Sequence, residues 1–161
     1  MALIFSEDQD QFRDSIQRFL TEQMPTTRVR QLMATDHAFD DQLWQQASTQ
    51  LALTGIHIPE HLGGAGFGPV ELGIALEEMG RALFCGPYLS SAVLSAYALL
   101  ISADADQQER WLSDVASGER RCSLAVTEST GLWQDDDIHT TAPTDDAGHS
   151  LLNSRKRFVG H

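Results

Sequence analysis

Two histidines four positions apart, His57 and His61, are the first residues whose spacing could do chemistry. On a helix, this spacing places both imidazoles on one face, where they could bind a metal ion. Here Pro59 lies between them and a glycine cluster follows, which disfavours a helix. We therefore interpret both side chains as solvated loop histidines and predict no metal site.

Nucleophilic catalysis has little support. The chain has no Gly-x-Ser-x-Gly elbow. Cys85 precedes Gly86-Pro87, Cys122 begins a β-prone run, and neither has an adjacent base that would stabilise a thiolate. We interpret both cysteines as structural thiols. Two cysteines make no disulfide framework, which is typical of a cytoplasmic protein.

The glycine cluster at residues 63–66 could bind a phosphate through its main-chain amides. It lacks the Lys and Ser/Thr of a P-loop and does not follow a strand. A tight connection between helices, with positive φ angles at glycine, is the favoured interpretation. The acidic tract at residues 135–137 is interpreted as a solvated loop, because adjacent carboxylates in a loop rarely converge.

Composition excludes several classes of protein. The chain has 161 residues and a net charge of −12, which argues against binding to nucleic acid or to an anionic membrane surface. Its longest apolar segment, residues 88–101, is shorter than the roughly 20 residues of a membrane span. We predict that this segment is a buried core helix.

The elements that would position these residues are mainly helical. Ser6, Asp40 and Asp104 are each followed by apolar residues at helical spacing, and each is a good N-cap. Gln9 and Gln107 stand where a capping box places them. Pro25 should end the first helix, and a short helix should cover residues 27–33. Gly55 should end the helix that begins after Asp40, and Pro69 should begin the next helix.

After Gly118 the apolar period changes from that of a helix to that of a strand. Four short strands are predicted, at residues 122–127, 138–142, 149–153 and 156–159. The predicted fold class is therefore α+β and mainly α. A bundle of about six helices (residues 1–118) should be followed by a partial antiparallel β-domain (residues 119–161). So few strands cannot cover both faces of a sheet, so we expect the rest of this domain outside the 161 residues.

Several motifs, in order and in register, make the chain similar to the acyl-CoA dehydrogenase family. The stretch at residues 55–66 resembles the family's G-x-x-x-P-E-x-x-G-G-x-G, and residues 71–81 resemble its E-E-M-G helix. Residues 108–112 and 116–119 resemble its Q-x-x-x-L and A-S-G-E segment. Residues 124–128 and 152–156 resemble its A-x-T-E and L-N-G-x-K strands.

The resemblance implies a fold and a chemistry. The family has an N-terminal helical domain, a middle β-domain and a C-terminal four-helix bundle, binds FAD, and dehydrogenates acyl-CoA thioesters between the α and β carbons. By position, Val126 and Thr127 would contact the edge of the flavin, and Phe158 would pack on its ring. Trp133 stands at the serine position of the family's G-S-D segment, which implies a substrate-binding position.

The resemblance also shows what these residues do not supply. The family's catalytic glutamate and most of its contacts between subunits, in homo- or hetero-oligomers, belong to the C-terminal domain, so no catalytic residue is assigned here. Leu132 and Trp133 replace Gly and Ser where the family's backbone approaches a phosphate. We predict that the 161-residue chain alone neither retains FAD nor dehydrogenates acyl-CoA.

Three interpretations remain open on these residues. In the first, the chain is the N-terminal portion of an acyl-CoA dehydrogenase-like protein, either an FAD-dependent oxidoreductase or a degenerate subunit that pairs with an active one. In the second, it is a stand-alone helical module that binds a partner protein or an acyl group without redox chemistry. In the third, it is a different member of the same fold, such as an acyl-CoA oxidase or a flavin monooxygenase.

Overall fold

The computed structural model describes residues 5–160. Six α-helices lie in this range: α1 (Glu7–Gln23), α2 (Thr26–Met33), α3 (Asp41–Leu51), α4 (Pro69–Arg81), α5 (Ala96–Ser102) and α6 (Ala105–Ala116). A π-helix (Tyr88–Ser95) runs directly into α5, and short 3₁₀ turns cover Leu53–Gly55, Glu60–Leu62 and Asp135–Asp137. The prediction of a mainly helical chain is confirmed.

The predicted caps form. At the start of α1, the Ser6 hydroxyl accepts the Gln9 main-chain N–H, and the Gln9 side chain accepts the Ser6 N–H. Asp104 and Gln107 make the same reciprocal pair at α6. Asp40 accepts two main-chain N–H groups at the start of α3. These side chains satisfy donors that would otherwise have no partner, which fixes where each helix begins.

The end of α3 differs from the prediction. The helix stops at Leu51, and Ala52, not Gly55, adopts the left-handed conformation, with φ 51°. Gly55 has a different reason to be glycine: a Cβ there would lie 2.9 Å from the Cβ of Ala116. The residue therefore allows the turn after α3 to pack closely on the end of α6.

Two apolar clusters hold the helices together. The larger joins α1, α3, α4 and the π-helix and includes Ile16, Leu20, Leu43, Trp44 and Ala75. The smaller joins the loop after α3 to α5 and α6 and includes Ile58, Leu62, Ala96, Leu112 and Val115. The indole of Trp44 also donates a 2.9 Å hydrogen bond to the carbonyl of Gly118, which ties α3 to the residue just beyond α6.

An ion-pair network centred on the buried Glu78 joins α1 to α4. The Arg13 guanidinium lies 2.6 Å from the carboxylate of Glu77 and 3.1 Å from that of Glu78. Glu78 is buried, and its second oxygen lies 2.6 Å from Arg81 on the same helix. Because Glu78 has two cationic partners, its charge is compensated inside the packed interface.

Residues 88–101 are mostly, but not wholly, buried. Ala96 has 0% of its surface exposed, and the Tyr88 hydroxyl donates to the carbonyl of Leu53 at 2.8 Å. Ile101 is 82% exposed. The prediction of a buried helix is thus confirmed for most of the segment and wrong at Leu89, which is 56% exposed, and at Ile101. The first part of the segment, as far as Ser95, is a π-helix. No helix among residues 5–160 is both long enough and apolar enough to cross a membrane.

The four predicted strands do not form in the described residues. Between residues 119 and 160, one isolated antiparallel bridge joins Thr144 to Ser150. An extended segment becomes a strand only when a neighbour pairs repeatedly with its main chain. Here residues 122–127 receive a single main-chain hydrogen bond from the last segment, from Arg157 to Thr127. The partial β-domain is not confirmed by these residues.

Candidate functional site

Three of the four predicted site residues lie on two segments that meet. The main-chain N–H of Arg157 donates to the carbonyl of Thr127 at 2.8 Å. The Lys156 ammonium donates to the carbonyl of Val126 at 3.2 Å. The structure therefore brings the segment with Val126 and Thr127 beside the segment with Phe158. A further hydrogen bond, from the Ser123 hydroxyl to the Gly160 carbonyl, joins the same two segments.

The two aromatic residues of the predicted site are open to solvent. Phe158 is 83% exposed, in a left-handed backbone conformation with φ 53°. Trp133 is 64% exposed, and its neighbour Leu132 is 52% exposed. Phe158 faces the start of the loop with Trp133, because a Cβ at Gly131 would lie 3.7 Å from its ring. Thr127, in contrast, is buried.

Glu128, which the sequence did not single out, anchors this region. Its carboxylate accepts a hydrogen bond from the Lys156 ammonium at 2.7 Å. It also accepts hydrogen bonds from the main-chain N–H groups of His139 and Thr140, at 2.9 and 3.0 Å. The Thr140 hydroxyl donates to it as well. The hydrogen bond from Lys156, followed by those from Thr140 and His139, lowers the pKa of Glu128 to about 2. The carboxylate thus fixes both ends of residues 128–140, the loop with Trp133.

The amides of the glycine cluster are engaged within the fold. The N–H of Ala65 donates to Gly55 at 2.9 Å, and that of Gly66 to Ile58 at 2.9 Å. Gly63 has φ 85°, and a Cβ at Gly64 would lie 2.5 Å from the carbonyl carbon of Ile58. These contacts support the interpretation of a tight connection over that of a phosphate site.

His57 is not the solvated histidine that its loop position predicted. It is only 9% exposed, it stacks on Tyr97 with ring centroids 4.3 Å apart, and neither ring nitrogen has a hydrogen-bond partner. Burial lowers its pKa. His61 is exposed, as expected. No group of three ligands that could hold a metal ion is found in residues 5–160.

The sequence contained a signal for the burial of His57. It lies between Ile56 and Ile58, both of which are buried. Apolar residues on both sides indicate that this part of the loop packs on the core, and histidine is a residue type of intermediate burial.

Both cysteines are free and half-buried. Burial raises the pKa of each thiol, so both favour the neutral form that a structural role requires. The main-chain N–H of Cys122 donates to the hydroxyl of Ser91 at 3.0 Å, which ties the π-helix to the segment with Thr127.

Comparison with known proteins assigns the helical part of the chain to a family. The family model for the acyl-CoA dehydrogenase N-terminal domain matches residues 6–119. Acyl-CoA dehydrogenase IpdE2 of Mycobacterium tuberculosis is 33% identical over 120 residues, which are 74% of this chain and 37% of that protein. The chain therefore spans little more than a third of the length of this curated relative.

Solved structures share the fold. The steroid acyl-CoA dehydrogenase Tcur3481-Tcur3483, as its G363A variant, matches with a TM-score of 0.82 and 27% identity over 95% of this chain and 41% of its own. An acyl-CoA dehydrogenase of Bacillus anthracis, solved with FAD, matches with a TM-score of 0.84 and 22% identity over 96% of this chain and 26% of its own.

Proposed function

We propose, from the premise that this chain belongs to the acyl-CoA dehydrogenase family, that it is the N-terminal portion of an FAD-dependent oxidoreductase. Its substrates would be acyl-CoA thioesters, dehydrogenated between the α and β carbons. The observation that carries the proposal is the match of residues 6–119 to the N-terminal domain of this family. The end of that match also supports a domain boundary near Gly118.

The junction of the two C-terminal segments supports a flavin contact at Val126, Thr127 and Phe158. An aromatic ring that is 83% exposed offers a face on which a planar isoalloxazine can stack. The hydrogen bond from Arg157 to Thr127 holds the main chain next to Phe158 against that of Thr127. When bound, FAD accepts the hydride in this class of reaction. The role of these residues is to bind and orient it.

The phosphate end of the cofactor has weaker support. Leu132 and Trp133 stand where a backbone would have to approach a phosphate closely, and both side chains project into solvent. A bulky residue there restricts the approach and adds no hydroxyl donor. Trp133 instead offers an exposed indole, which is consistent with a role in contacting substrate.

A second candidate function follows from Leu132 and Trp133. A subunit that retains the fold but restricts its phosphate site would serve as a non-catalytic partner of an active subunit. One solved structure that resembles this chain carries a double name, Tcur3481-Tcur3483, as a protein with two kinds of subunit would. A helical module without redox chemistry has no specific observation in its favour.

The test uses the protein expressed from the complete reading frame that contains these residues. We expect it to purify with flavin absorbance that an acyl-CoA bleaches. Phe158→Ala should lower FAD retention at least about tenfold, since it removes the stacking face, while Val159→Ala should not. A full-length protein that stays colourless with excess FAD would contradict the proposal of an FAD-dependent oxidoreductase and favour that of a non-catalytic subunit.

A further inference from the structure

Lys156 holds two segments of the candidate site together. It is the only lysine among the 161 residues, and its side chain is 20% exposed. Its ammonium donates to the carbonyl of Val126 at 3.2 Å and to the carboxylate of Glu128 at 2.7 Å. The main-chain N–H of the next residue, Arg157, donates to the carbonyl of Thr127 at 2.8 Å. Residues 126, 127 and 128 are thus each bonded to the same two residues, 156 and 157.

Glu128 extends this contact to a third segment. Its side chain is 11% exposed, and its carboxylate also accepts hydrogen bonds from the main-chain N–H groups of His139 and Thr140. In the described part of the chain, Lys156 is the ion-pair partner of this carboxylate. Removal of the ammonium would leave a nearly buried negative charge with neutral donors only. Such a charge favours contact with water, and the loop between residues 128 and 140 would open to reach it.

The environment of Lys156 differs from that of the arginines on either side of it. Arg155 and Arg157 are exposed, whereas the Lys156 ammonium bonds groups of the protein itself. An ammonium is a compact charge with three donors on a flexible stem, so it can bond a carbonyl and a carboxylate at the same time. Because both acceptors belong to the fold, this side chain would act on a ligand only through the groups that it holds.

We propose that Lys156 is a positioning residue of the candidate flavin site and acts through its pair with Glu128. The pair holds the main chain of Thr127 against the segment that contains Phe158, and it closes the loop that contains Trp133. A site that is held in its binding arrangement before the ligand arrives loses less conformational entropy when the ligand binds. The inference rests on the proposed function, because it gives a part in FAD retention to two residues that need not touch FAD.

The test measures the dissociation constant of FAD for the protein expressed from the complete reading frame. Lys156→Met and Glu128→Gln should each weaken FAD binding at least about tenfold. The double variant should bind no more weakly than the poorer single variant, since both changes break the same pair. Lys156→Arg keeps the cation and should recover most of the affinity. Arg155→Met removes a positive charge from the exposed neighbour and is the matched control, with an unchanged affinity.

Hydrogen exchange of the main-chain amides, measured without FAD, tests the pair itself. Lys156→Met should speed exchange at His139 and Thr140, whose N–H groups bond Glu128, and should leave the amides of α1 unchanged, which shows that the variant folds.

Unchanged exchange at those two amides would overturn the proposal. So would Lys156→Met and Glu128→Gln variants that bind FAD as tightly as the parent does. An equal loss of affinity in Arg155→Met, or a Lys156→Arg variant as weak as Lys156→Met, would overturn it as well. A parent that binds no FAD would instead contradict the proposed function, on which the role of Lys156 depends.

Discussion

His57 makes the fold sensitive to acid. Burial lowers its pKa in the folded chain, whereas in the unfolded chain it titrates near its ordinary value of about 6.5. Between these two values the unfolded state binds more protons, so the free energy of unfolding rises with pH. The stability is full above about pH 6.5 and is lost as the pH falls, by up to about 1.4 kcal/mol for each pH unit within that window.

We expect His57→Phe, which keeps a ring against Tyr97, to reduce this loss. The measurement is the free energy of unfolding in urea at pH 7.5 and pH 5.5 for the parent and the variant. His61→Gln is the matched control, since that histidine is exposed and should leave the pH dependence unchanged. An equal loss in the parent and in His57→Phe would show that other groups cause it.

At the scale of single residues, the sequence predicts best where a local rule decides. Ser6 and Asp104 act as caps because the capping box depends on residues three positions apart. The isoleucines beside His57 indicate its burial, but its stacking on Tyr97, forty positions away, is a tertiary contact on which local spacing contains no information. Glu128 was missed for the same reason, since its partners include Thr140 and Lys156.

At the scale of the element, α5 has a fully buried apolar residue, Ala96, and an exposed one, Ile101, and substitutions at the two can be compared directly. Ala96→Asp should lower the free energy of unfolding by roughly 3 kcal/mol or more, because it buries a carboxylate with no partner. Ile101→Asp introduces the same carboxylate at a side chain that is 82% exposed and should change the free energy of unfolding by less than about 0.5 kcal/mol. Equal midpoints of urea unfolding for the two variants would contradict this placement of α5.

The glycines of the connection and of α4 should respond in opposite directions to alanine. Gly64→Ala should cost about 1–3 kcal/mol, since its Cβ would collide with the main chain of Ile58. A Cβ at Gly73, inside α4, meets nothing within 4 Å, so Gly73→Ala should stabilise by roughly 0.5–1 kcal/mol. Urea midpoints measure both. A neutral Gly64→Ala would mean that the connection is looser than these contacts indicate.

Helices were predictable as elements, and strands were not. A helix satisfies its main-chain hydrogen bonds within itself, so α1 and α6 follow from local pattern and caps. A strand needs a partner segment, and residues 122–127 have one main-chain hydrogen bond from Arg157 where a ladder would need several. The apolar residues after Gly118 repeat every two positions, which indicates the side chains that could face a core. The pattern does not indicate which segments would pair with them to make a sheet.

At the scale of the whole molecule, the helical part and the C-terminal segments differ in what they can do alone. The helices share two buried clusters and an internal ion-pair network. Residues 132–159 expose several large apolar side chains: Leu132, Trp133, Ile138, Leu151, Leu152, Phe158 and Val159. Exposed apolar surface of this kind is typical of an interaction site, so we expect this segment to depend more than the helices on contacts beyond itself.

This difference predicts that the 161-residue chain alone does not retain FAD. In the proposed site, Phe158, which is 83% exposed, would offer the flavin one stacking face, and the exposed Leu132 and Trp133 would restrict the phosphate end. A general base must lie within hydrogen-bonding distance of the proton that it removes, and the resemblance places that base in a domain beyond these residues. The measurement is the visible spectrum of the chain after mixing with excess FAD and desalting.

We expect a colourless protein. Lysozyme taken through the same mixing and desalting controls for incomplete removal of free flavin. Flavin retained at one per chain and bleached by an acyl-CoA would contradict the prediction and would show that the residues around Thr127 and Phe158 suffice for both binding and chemistry. Flavin that appears only when a complete second subunit is added would instead support the non-catalytic partner, because the missing walls and the base would then come from that subunit.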